Sequence, residues 1–120
     1  MIVLLAVLAG GLGAVARFAV DDAIRTRLGD AFPWATLAIN VTGSLLLGVL
    51  TGLVIFRGGP GDVRVVLGTG FCGGYTTFST ASVETVRLAQ RRAALPAIGY
   101  AGGTAVLTVL AAALGLLVTS

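Results

Sequence analysis

Histidine and lysine are absent from this chain, and cysteine occurs once, at Cys72. A lone cysteine excludes an internal disulfide, and without histidine a side-chain metal centre has few donors to draw on. The same absence removes the usual general base. Few acid/base pairs remain, so enzymatic chemistry is not expected. Charge is scarce as well: 11% of the 120 residues are charged and 57% are hydrophobic, with a mean hydropathy of +1.02. A water-soluble fold would have to bury nearly all of that surface, which a chain this short cannot do. The class is therefore an all-α integral membrane protein, read as a single domain over residues 1–120.

The formal charge of +3 comes from eight arginines against five acids. Most of these arginines flank apolar runs and read as membrane-surface anchors. A nucleic-acid face needs a basic patch with soluble structure around it, and none is present. No basic stretch precedes the first apolar run, so a retained helix is expected there and not a cleaved signal peptide.

About 20 apolar residues span a bilayer as a helix. By that measure the expected spans are about 2–20, 33–56, 65–83 and 96–118. In the first, Gly10, Gly11, Gly13 and Ala14 offer a small-residue face for close helix approach. Arg17 falls in its last turn, either snorkelling to the interface or standing at the mouth of an anion path. Asp21 to Phe32 reads as a polar connector with a short interfacial helix, ended by Gly29 and Pro33, and Trp34 marks the interface. The second span carries no charge. Its Asn40 lies well inside the run, where an unpartnered amide costs several kcal/mol. It either bonds a neighbouring helix or turns an N–H donor toward a pore. Gly43, Ser44, Gly48 and Gly52 form a second small face.

Arg57 to Arg64 is a turn by composition. The third span carries four glycines, Gly68, Gly70, Gly73 and Gly74, and continues Thr76-Thr77-Phe78-Ser79-Thr80. Glycine costs a helix interior about 1 kcal/mol relative to alanine, so a break is expected near Gly73–Thr77. Backbone carbonyls freed at membrane depth are tolerated only in protein or beside water, and broken helices use them to hold ions. A short helix from about Ser79 to Gln90 follows, with Glu84 and Arg87 spaced to pair. In the last span Tyr100, Thr104 and Thr108 share one face. Those hydroxyls either bond their own i−4 carbonyls or line a path. Four helices are thin for enclosing a conduit, so an oligomer is expected.

Three motifs together resemble the Fluc fluoride channels, also called CrcB proteins: Gly10-Gly-Leu-Gly-Ala-Val-Ala-Arg17-Phe18, Asn40-Val-Thr-Gly-Ser44 and Gly70-Phe-Cys-Gly-Gly-Tyr-Thr-Thr-Phe-Ser-Thr80. The resemblance covers the whole chain. It implies an antiparallel, dual-topology dimer in the cell membrane, with broken third helices crossing at its centre. It implies a structural Na⁺ there, held by the backbone carbonyls of Gly73 and Thr76 from each subunit and not transported. Fluoride would leave passively through pores along the dimer interface, lowering its cytoplasmic level. Asn40, Thr77, Ser79, Thr80, Tyr100, Thr104 and Thr108 would lie on the anion path, with Phe78 presenting its ring and Arg17 at a vestibule.

One position departs from that pattern. Where the family usually has a second phenylalanine three residues after the first, this chain has Ala81. If the spans alternate sides, Arg25, Arg27, Arg91 and Arg92 share one side, and Arg57 and Arg64 the other. The positive-inside rule then biases the orientation, with both termini outside. Both features suit pairing with a related, oppositely oriented paralogue, leaving this chain a half-competent or non-conducting subunit. A remote alternative is a small proton-coupled drug exporter. That activity needs an embedded carboxylate, for which Glu84 is the one candidate.

Overall fold

The computed structural model describes residues 1–91 and 93–120 and is all helical, without strands among the described residues. Helix α1 spans Ile2–Leu28, α2 Trp34–Arg57, α3 Gly61–Val63, α4 Gly73–Tyr75, α5 Phe78–Gln90 and α6 Ala94–Thr119, with a π-helical stretch, Arg64–Cys72, joining α3 to α4. The molecule is 49 Å long and 28 × 22 Å across. That length fits a bilayer whose apolar core is about 30 Å thick and about 40–45 Å with headgroups. Among the described residues, α1, α2 and α6 are long and apolar enough to cross a membrane. Their outward faces carry an apolar sleeve that includes Leu4, Leu12, Phe18, Ile55 and Val109. The protein is a membrane protein.

Helix α1 departs from expectation. It runs unbroken to Leu28, so the Asp21–Phe32 stretch is no separate interfacial helix, and Arg17 sits in its interior and not in its last turn. Nothing between Val20 and Leu28 breaks a helix, and Asp21 pairs with Arg25 one turn on at 2.9 Å. Gly29 ends the helix with a positive φ of 75° and an extended ψ of −170°, its N–H donating to the Arg25 carbonyl. Helix α5 starts one residue early, at Phe78.

Two glycine contacts set the packing. A methyl group on Gly13 would overlap the Phe71 carbonyl, and one on Gly74 would overlap the Gly10 carbonyl. The α1 backbone thus lies directly on the chain that leads into α4. Gly11, on the other side of α1, meets nothing. Helix α2 rests on α6 in the same way: a methyl on Gly48 would overlap the Ala112 carbonyl. Gly48→Ala must therefore push two backbones apart, at about 1–3 kcal/mol. Gly99 faces open space, and Gly99→Ala is expected to leave stability level or raised. Thermal melts of the two variants in detergent check the contrast, and equal melting temperatures would remove the close approach as a determinant.

Both ends of the molecule carry arginines. Arg25, Arg87 and Arg91 surround a small cavity at one end with Asp30 and Glu84. At the other, the Arg57 Nε donates to the Thr119 carbonyl at 3.0 Å. Arg92 lies outside the described residues.

Candidate functional site

The backbone leaves helical geometry at two residues, Thr76 (φ −80°, ψ 159°) and Thr77 (φ −149°, ψ 115°). Gly73 and Gly74 remain helical; the β-branched threonines beyond them are the extended pair. What replaces the helical hydrogen bonds is Asn40, on α2. Its Nδ2 donates to the Thr77 carbonyl at 3.0 Å, and its Oδ1 accepts from the Thr77 N–H at 2.8 Å. A side-chain amide offers the same donor and acceptor as a strand edge, so it satisfies both backbone groups of one residue. The Thr77 hydroxyl then accepts from the Thr80 N–H at 3.2 Å and caps α5.

The same capture frees carbonyls. In a continuous helix Thr77 would donate to Gly73, and Thr80 to Thr76. Here both donors are engaged elsewhere, and among the described residues no hydrogen bond reaches either carbonyl. Both residues line a groove of about 1060 Å³ running along the molecule between α2, α5 and α6. Two unpartnered carbonyls are donors suited to a hard cation, which takes oxygen ligands. The pair thus fits the Na⁺ that the resemblance implies.

The groove also gathers Asn40, Thr77, Phe78, Tyr100, Thr104 and Thr108. Phe78 is 88% exposed, its ring unpacked by the rest of the chain. Asn40 has one amide N–H on the Thr77 carbonyl, which leaves the second N–H free. On α6, the Thr104 hydroxyl is buried with no hydrogen-bond partner, whereas Thr108 donates back to the Thr104 carbonyl at 2.8 Å. The Tyr100 hydroxyl donates to Glu84 Oε2 at 3.0 Å. Ser79 and Thr80 sit on the first turn of α5, outside the groove lining; Arg17, on α1, is also outside it, and its Nε is buried without a partner.

Glu84 does not pair with Arg87. It is buried at 8% exposure, and its Oε1 accepts from Arg25 Nη2 at 2.7 Å. The i,i+3 spacing was a poor guide because Glu84 turns inward, toward α1 and α6. Ser44, expected only on a small packing face, also lines the groove, as do Ser82 and Thr85, for which no role is expected from the sequence. A signal for them existed: Ser44 lies one turn after Asn40, and Ser82 and Thr85 one and two turns after Phe78.

Ala81 lines the groove and packs against the cluster of Leu88, Ala97 and Tyr100. The site is thus a half-open trough whose largely apolar wall is set with the Phe78 ring, hydroxyls, the Asn40 amide, backbone carbonyls and Arg64, with no acid in its lining.

The family described as "CrcB-like protein, Camphor Resistance (CrcB)" matches residues 4–116. "Fluoride-specific ion channel FluC 1" of Leifsonia xyli is 53% identical over 116 residues, covering 97% of this chain and 85% of that protein. "Fluoride-specific ion channel FluC 2" of Cutibacterium acnes is 52% identical over 110 residues, covering 91% and 89%. "Fluoride-specific ion channel FluC" of Nitrobacter winogradskyi is 50% identical over 108 residues, covering 88% and 86%. With a match over nearly its whole length, this chain belongs to the CrcB family.

Proposed function

We propose that this chain is a fluoride channel subunit, not an enzyme, that lets F⁻ leave the cell passively across the plasma membrane. The observation that carries the reading is the trough itself: a groove without acids whose apolar wall is set with hydroxyl, amide and carbonyl groups and Arg64, built around an Asn40-clamped break, in a chain about half identical to proteins named fluoride-specific channels. In this reading the stretch from Gly61 to Gln90 crosses the membrane as a broken third helix. Two copies in opposite orientation close their half-open troughs against each other. The carbonyls of Gly73 and Thr76 would hold Na⁺, which supplies fixed positive charge near the anion path and ties the subunits together.

The trough's own groups handle the anion. A small hard ion gives up part of its hydration shell and needs donors in exchange. The second amide N–H of Asn40 and the buried hydroxyl of Thr104 have no partner within the chain. The positive edge of the Phe78 ring favours an anion without a strong hydrogen bond. Conduction requires that no one site bind tightly. Drug export is disfavoured on the same geometry: its one candidate carboxylate, Glu84, is bonded to Arg25 and Tyr100.

A second reading rests on Ala81, which leaves the trough wall without the second ring of the family pattern. Here the chain is one half of a heterodimer with a paralogue, in which one pore is degenerate. Efflux from liposomes containing this purified chain alone, read with a fluoride electrode and with chloride as control, tests both. Fluoride-selective efflux is the expected result. Folded protein without efflux would refute a self-sufficient channel, and co-reconstitution with a paralogue then decides the second reading.

A further inference from the structure

The charged cluster at the Arg25 end plays no part in that reading, yet it touches the trough. Three nitrogens of the Arg25 guanidinium are engaged. Nε donates to both oxygens of Asp21 at 2.9 Å, Nη1 to Asp30 at 3.0 Å, and Nη2 to Glu84 at 2.7 Å. These acids differ in depth: their side chains are 33%, 76% and 10% exposed, respectively. Glu84 is the buried one, on α5. Its second oxygen accepts from Tyr100 on α6, which lines the trough one turn before Thr104. Arg87 and Arg91 border the same small cavity. Among the described residues, however, Arg25 is the cation bonded to Glu84.

We propose that Arg25 is a positioning residue for anion passage. It pairs with buried Glu84 and fixes the carboxylate that anchors the Tyr100 hydroxyl, so that, with Arg87 and Arg91 bordering the same cavity, the negative charge at this end of the hydroxyl row is offset toward an anion. The proposal rests on the fluoride-channel reading. An uncompensated carboxylate there would be costly to bury and would repel an anion in the trough. At an effective dielectric of about 20, one unit charge about 10 Å away lowers anion occupancy roughly tenfold. Asp21 and Asp30, both nearer solvent, hold the guanidinium in the plane that reaches Glu84. A planar fork can serve three acids at once, which a lysine ammonium on a flexible stem does not reproduce.

The test uses the full chain as Arg25→Gln and as the double variant Arg25→Gln/Glu84→Gln, with two readouts. Thermal melting in detergent reports charge compensation without reference to conduction. Fluoride efflux from liposomes reports the effect on the anion. Arg25→Gln is expected to melt lower and to lose roughly tenfold or more in efflux. The double variant is expected to regain most of both, because removing the charge removes the need for its partner. A purely structural Arg25 predicts no recovery of efflux, since the double variant restores no packing. A double variant that melts no higher than the single one overturns charge compensation, whether or not the chain conducts. Recovered melting without recovered efflux, or unchanged efflux in Arg25→Gln, overturns the role in anion passage. Absence of efflux from the unmutated chain would refute the channel reading instead, and the melting comparison would still decide charge compensation.

Discussion

Asn40→Leu is expected to destabilise the protein by about 2–6 kcal/mol, because it orphans two buried backbone groups at once, each costing about 1–3 kcal/mol. The Thr77 N–H and carbonyl both bond the Asn40 amide, and Thr77 is buried at 8% exposure. Water therefore cannot readily take over. Domains are stable by only about 5–15 kcal/mol, so the variant sits at the edge of folding. Asn40→Asp separates the parts of the effect. Its carboxylate still accepts from the Thr77 N–H, but it sets a second oxygen against the Thr77 carbonyl and puts negative charge in the trough. It should melt between wild type and Asn40→Leu while conducting no fluoride. Melting of Asn40→Leu close to wild type would show that the extended pair stands without the amide.

The same residue marks the limit of what the sequence discloses. The apolar runs of α1, α2 and α6 can be read directly, because period and length in a membrane helix are local properties. The extended residues cannot be placed so simply. Local composition points to the stretch Gly73–Thr77 without saying which residues leave the helix; the glycines stay helical, and Gly74 is there for its contact with Gly10. Thr76 and Thr77 depart because an amide 37 residues away matches the backbone of Thr77. No window around the break contains that information. Glu84 shows the same thing with charge. Its helical neighbour Arg87 is visible in the sequence, while Arg25, 59 residues distant, is its partner. The end of α1 is hidden for the opposite reason. Acids suggest the end of a membrane helix, although Asp21 and Arg25 one turn apart support its continuation.

The trough itself follows from periodicity once the helices are set. Tyr100, Thr104 and Thr108 share a face of α6, and Phe78, Ala81, Ser82 and Thr85 share one of α5; both faces turn to the same space. Their individual chemistry does not follow. The Tyr100 proton is committed to Glu84, the Thr108 proton to its own helix, and Thr104 alone of the three has a hydroxyl without a partner. Hydroxyls that look equivalent in sequence therefore offer an anion different things.

Phe78→Ile is expected to reduce fluoride efflux to that of protein-free liposomes without changing the protein's elution position in detergent. The ring is 88% exposed and buries almost nothing within its own chain, so the substitution forfeits little core packing. The α5 cap is a Thr77–Thr80 interaction that does not involve the Phe78 side chain. What is lost is the ring's electrostatics. An aromatic edge carries partial positive charge and the face partial negative charge, whereas isoleucine has neither and is of comparable bulk. A step that relies on the edge to compensate for lost water then has nothing to replace it. Phe78→Tyr keeps the ring and adds a hydroxyl, and should retain measurable efflux if the edge is the working part. Equal efflux from Phe78→Ile and the unmutated chain would remove the ring from the anion path. Efflux lost equally in Phe78→Ile and Phe78→Tyr would instead make its role one of shape.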